Sequence, residues 1–137
     1  MRLPIVLAFA AVSIATGPAS AEQASTARLA GDYVMAGKGH DPRDSAYSGT
    51  CSLRGSGNAY EVSCFNKDTR HTYVGKGLAS GDTLAIFIGD RLRGDHGGVF
   101  AGEYLVVYRL RPDGVLDGTW VHADSAAAGS ETLTPVR

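Results

Sequence analysis

The sequence predicts an all-β fold: a small antiparallel up-and-down β-barrel of about eight strands, with a flattened β-sandwich as the alternative. Beyond residue 29 the chain falls into short alternating runs separated by Gly, Asp, Asn and Pro, the punctuation of a β meander. Eighteen glycines and six tyrosines, with no long Ala/Leu/Glu/Lys segment after the N-terminal region, favour strands and turns over helices. With so few helices to cover a sheet, curling it into a barrel is the economical way to remove exposed edges.

The chain opens MRLPIVLAFAAVSIATGPASA, in which Arg2 precedes an apolar run from Leu3 to Ala15 and a small-residue segment ends at Ala21. This is the plan of a secretory signal spanning residues 1–21. The apolar run has thirteen residues, short of the roughly 20 that cross a bilayer, so no membrane anchor is expected after cleavage. No cysteine follows the run and there is no twin arginine. The mature chain of 116 residues, a single domain, is expected to be soluble and periplasmic or secreted. Residues 22–29 read as a flexible polar lead-in and 30–137 as the barrel. Thirteen basic and fourteen acidic residues are interspersed, without the basic stripe that nucleic acid or an anionic membrane requires.

The first strand-like run is Gly31 to Gly37. In the next unit, YSGTCSLRGSGNAYEVSC, a Gly57-Asn58 loop suits a primed hairpin turn, since both residues tolerate positive φ. That register sets Leu53 opposite Val62, Arg54 opposite Glu61 as a cross-strand charge pair, and Cys51 opposite Cys64. Cys51, Leu53, Tyr60, Val62 and Cys64 then share one apolar face. The two cysteines, the only ones in the chain, fall at a non-hydrogen-bonded position with Cα atoms about 4.5 Å apart, so an exported protein is expected to oxidise them to a disulfide. Neither C-x-x-C spacing nor a neighbouring zinc ligand supports redox or metal chemistry.

The second hairpin, HTYVGKGLASGDTLAIFIG, turns between Ala79 and Asp82. Its second strand is apolar on both faces, with Leu84, Ile86 and Ile88 on one and Ala85 and Phe87 on the other, and so reads as central or covered. Gly75 and Gly77 mark strand coiling or the close approach of a bulky group. The third hairpin, AGEYLVVYRLRPDGVLDGTWVHA, turns through Pro112-Asp113-Gly114. It sets Val106 opposite Trp120, Arg109 opposite Asp117 as a second charge pair, and Gly118 opposite Tyr108 to leave room for the ring. A last run covers Ser130 to Val136.

Candidate site residues lie inside the barrel and in two mouth loops. The interior candidates are Tyr33, Tyr108 and Trp120; Trp120 reads first as a packing residue and second as a stacking platform for a ligand. The first loop, Gly37 to Ala46, carries His40, Asp41, Arg43 and Asp44, whose spacing matches no metal cage and whose Asp-Pro and Asp-Ser pairs are ordinary turn chemistry. The second, Gly89 to Gly98, carries Arg91, Arg93, Asp95 and His96. It includes an Arg-Gly-Asp tripeptide of the kind adhesive proteins present to integrins, which chance explains in so Gly/Arg/Asp-rich a loop. Adjacent Asp95 and His96 do not make half of a catalytic triad, and no motif marks a nucleophile. His71 and His122 read as rim residues. No metal, cofactor or catalytic residue is expected.

The segments GDYVMAG, YSGTCSL, YVGKGLASGDTLAIFIG, VVYRLRPDGVLDGTW and GSETLTP together resemble the small exported bacterial proteins commonly labelled fibronectin-binding proteins, over Gly31 to Pro135. The LDGTW element is also similar to the calycin group of avidins and lipocalins. The resemblance implies a closed antiparallel barrel and marks no catalytic residue. The chain departs from that pattern at Arg91 to Ala101, an insertion, and at His40 to Asp44. The expected function is a non-enzymatic binding module that holds a small molecule or a protein partner through its interior and mouth loops. The alternatives are an inhibitor of a periplasmic or host hydrolase acting through Arg91 to Gly98, and a structural envelope protein.

Overall fold

The computed structural model describes residues 29–91 and 100–137. The expected signal sequence and most of the lead-in lie outside them. Leu29, at the end of that lead-in, is anchored rather than free: it is 2% exposed, and its carbonyl accepts a 2.8 Å hydrogen bond from the Tyr33 hydroxyl.

Eight strands run β1 (Gly31–Gly39), β2 (Ala46–Ser56), β3 (Ala59–Asn66), β4 (His71–Ser80), β5 (Thr83–Arg91), β6 (Phe100–Leu110), β7 (Leu116–His122) and β8 (Ala128–Pro135). Each pairs antiparallel with its neighbours in sequence, and β8 returns to β1 to close the barrel. Closure excludes the sandwich. The period-two alternation of each strand points one set of side chains inward, among them Leu53, Leu84, Leu116 and Leu133, none of them exposed. Opposite charges occupy the outer wall, as in the Arg54–Asp32 and Arg109–Asp82 pairs.

The first hairpin has the predicted register, from Ser56 opposite Ala59 to Cys51 opposite Cys64. Only Gly57 takes a positive φ, 69°, so the turn follows the type II′ pattern rather than one needing Asn58 in the same region. The Cys51–Cys64 bridge is formed, with Cα atoms 4.0 Å apart. Both charge pairs need correction. Arg54 and Glu61 stand opposite each other, but Arg54 bonds Asp32 on β1 and Glu61 bonds Lys76 on β4. Arg109 and Asp117 behave alike, turning to Asp82 and Arg111. A hairpin read in isolation lacks the strand on its other side, and long side chains choose among all their neighbours.

The disulfide yields a direct prediction. Mass spectrometry of the oxidised protein should show a loss of about 2 Da against the reduced form, and reduction should lower stability by no more than roughly 3 kcal/mol, the chain-entropy value for a loop of about 15 residues. Free thiols at both positions in the folded protein would contradict the register.

On β4 a Cβ added at Gly75 would stand 2.3 Å from the Phe87 carbonyl oxygen, so the close approach is of neighbouring backbone where the sheet coils. The outer face of β5 is not covered by any described element: Phe87 is 44% exposed and continues across to exposed Leu105 and Val121. Closure gives every strand two neighbours, so an apolar outer face does not require a covering layer. In the third hairpin the Gly114 amide donates to the Arg111 carbonyl at 3.0 Å, with Gly114 at φ 85°, the expected three-residue loop. The hairpin turns and the first and last described residues share one end of the barrel, where Leu29, Tyr33, Leu53 and Leu133 are buried. The opposite end, where the longer connections lie, is left unfilled by the described residues.

Candidate ligand cavity

A cavity of about 320 Å³ occupies the open half of the barrel. Met35, Ile88 and Val106 form its apolar wall, Tyr73, Tyr104 and Trp120 an aromatic one, and Glu131, Tyr47, Asp44 and Asn66 are among its polar groups. This volume is in the range of sites that hold small organic molecules.

Glu131 faces inward from β8 and is 9% exposed. Its position is built by a row of paired residues running across five strands: Tyr47 on β2 opposite Gly37 on β1, Gly37 opposite Glu131, Glu131 opposite Gly118 on β7, and Gly118 opposite Tyr108 on β6. Each glycine carries a phenol ring over it. A Cβ at Gly37 would lie 2.3 Å from Tyr47 Cζ, and one at Gly118 would lie 2.5 Å from Tyr108 Cδ1. Lying flat over the missing side chains, both rings aim their hydroxyls at the carboxylate between them. Tyr47 donates to Oε2 at 2.7 Å, and Tyr108 donates to Oε1.

Burial pushes the Glu131 carboxyl above the ordinary carboxylate range, while the hydrogen bonds from Tyr108 and Tyr47 oppose the rise. Burial, then the neighbouring carboxylate, raise Tyr47 and hold Tyr108 well above the usual phenol value. Across the physiological range both phenols therefore stay protonated and serve as donors. Among the described residues no Lys, Arg or His forms an ion pair with Glu131. A carboxylate offers about four lone-pair sites, and two phenols occupy only half of them.

The aromatic wall is joined edge to face. Tyr104 contacts Tyr73 and Trp120 at centroid distances of 5.9 and 5.7 Å, and His71 and His122 extend the contacts to the rim at 4.7 and 4.9 Å. Trp120 lies over Gly129 as the phenols lie over their glycines; a Cβ there would stand 2.3 Å from Trp120 Cζ2. Its indole N–H is buried beside the Tyr47 hydroxyl but makes no well-aligned hydrogen bond.

Of the sequence-derived candidates, Trp120 lines this cavity and Tyr108 donates to its carboxylate, whereas Tyr33 packs at the sealed end. In the first loop Asp44 reaches the cavity lining, but Asp41 pairs with Arg43 in solvent, which holds its carboxyl at about 2, and His40 is exposed. Arg91 ends β5, opposite Phe100. Arg93, Asp95 and His96 lie outside the described residues. No group of three or more His, Cys, Asp or Glu among the described residues is placed to hold a metal ion.

Glu131, Tyr47, Tyr73 and Tyr104 were absent from the sequence candidates. A signal existed for Glu131: in GSETLTP it alternates in phase with Gly129 and Leu133, a carboxylate on the apolar face of its strand.

No protein-family model and no curated protein matches the chain. The resemblance to the fibronectin-binding group and to calycins thus rests on the motifs alone.

Proposed function

We propose that the protein is an exported, non-enzymatic binding module that holds a small molecule in the open half of its barrel. One observation carries the reading: a buried carboxylate, held by two phenols over two glycines, stands in a cavity that the described residues leave unfilled. A buried charge opposes folding unless it is compensated, and a sealed apolar core would be more stable. Such a group is consistent with recognition. The disulfide is compatible with an oxidising location, and the leader supplies a route to the periplasm or medium. The inhibitor reading depends on residues 91–98, almost all outside the described residues, whereas the small-molecule reading draws on described side chains throughout.

Native mass spectrometry of protein isolated from its own cell envelope is expected to show a small bound species. Ile88→Phe, which adds bulk to the cavity wall, should lose that species while keeping the fold. A wild-type protein that carries nothing, or a variant that retains the same adduct, counts against the cavity.

A further inference from the structure

We infer that the cavity recognises a small organic ammonium ion, its charged nitrogen set against Glu131 and its apolar body between the aromatic and aliphatic walls. This deepens the ligand-binding reading above and rests on it.

Three features of the lining converge on a cation. Glu131 carries free lone-pair sites, since its described partners are two neutral phenols. Burial opposes the ionised carboxylate, and a cation in the cavity relieves that opposition. The surrounding rings, Tyr73, Tyr104 and Trp120, are the side chains whose π faces attract a desolvated ammonium, with tryptophan the strongest. An anion would meet the carboxylate in a low dielectric and be repelled. A neutral apolar molecule would fill the space but leave Glu131 uncompensated. Met35, Ile88 and Val106 give the cavity an apolar wall, which favours an ammonium with a hydrocarbon or aryl body over a bare inorganic cation. Tyr47 and Tyr108, seated over the glycines that flank Glu131, hold its carboxylate by one hydrogen bond each.

Trp120 is the sole tryptophan, so its emission reports directly from the cavity wall. The probes are phenethylammonium, 2-phenylethanol and phenylacetate, which share a phenyl body and differ in charge. At about pH 7 the amine is cationic, and it should bind at least about tenfold more tightly than the alcohol, with no detectable binding of the carboxylate. Glu131→Gln should weaken amine binding and bring it to within about twofold of the alcohol. Independently of any variant, calorimetry of the wild-type protein in buffers of different ionisation enthalpy should show proton release on amine binding near the folded pKa of Glu131. An alcohol that binds as tightly as the amine overturns the cation assignment but leaves a ligand cavity standing. Retained amine preference in Glu131→Gln overturns the role of the carboxylate. If none of the three probes alters Trp120 emission, the ammonium inference fails, and the adduct experiment on isolated protein separately decides whether the cavity binds anything.

Discussion

Gly118→Ala is expected to destabilise the barrel by about 2–4 kcal/mol, the sum of overpacking a dense core and weakening a hydrogen bond to a buried charge. The added methyl would stand 2.5 Å from Tyr108 Cδ1 and 2.7 Å from Cε1, inside the contact distance of any real pair of carbons. Tyr108 is 1% exposed, so its ring has no free space into which to swing. If it moves, its hydroxyl leaves Glu131 Oε1, and the carboxylate keeps only Tyr47. Gly37→Ala produces a similar clash with Tyr47, but that ring is only partly buried and can tilt toward the mouth, so the loss should be smaller. Urea unfolding is the measurement: the midpoint should fall for both variants with little change in slope, and further for Gly118→Ala. A Gly118→Ala midpoint equal to that of the wild type would mean that Tyr108 does not lie over the glycine.

Wild-type stability should decline as pH rises from the ordinary carboxylate range through the folded pKa of Glu131, and Glu131→Gln should remove that decline. The sign follows from proton binding. Burial raises the folded pKa, so between the unfolded and folded values the native state holds a proton that the unfolded chain has released. Stability is then fully present below the unfolded pKa and is lost as pH climbs through the folded one, at about 1.4 kcal/mol for each unit of separation. Glutamine keeps one acceptor for a phenol and offers the other phenol a donor, without a charge to bury. The variant is therefore expected to approach the wild type in mild acid and to exceed it at alkaline pH. Asp41 acts in a different window and with the opposite sign: its depressed pKa, about 2, means its contribution disappears only as pH falls through strongly acidic values. Thermal unfolding of both proteins from about pH 4.5 to 8 isolates the Glu131 term. A stability difference that stays constant over that range would show that Glu131 titrates at the same pH in the folded and unfolded chain.

The hairpins were the readable part of this protein. Two- and three-residue turns at Gly57-Asn58 and Pro112-Asp113-Gly114 determine which residues meet, and alternation then assigns each side chain to a face. From that followed the Cys51–Cys64 bridge, the fit of Tyr108 over Gly118 and the pairing of Val106 with Trp120. Salt-bridge partners were less legible. Arg54 and Glu61 each had a second candidate on a strand outside the hairpin, and solvent-exposed pairs have too little energy to be dictated by register alone.

Sequence by itself determined the strand periodicity, the hairpin registers and the disulfide. The tertiary structure alone decided what Glu131 meets. Its phenol donors come from β2 and β6, and one of the glycines beside it, Gly37, lies on β1 and becomes its neighbour only when β8 closes the barrel. The physical reason is the range of the contact. A tight turn pins a hairpin's register within a few residues, but the register between the first and last strands depends on the tilt and stagger of the whole barrel. The carboxylate and the two tyrosines are separate facts in the sequence, and closure makes them one site.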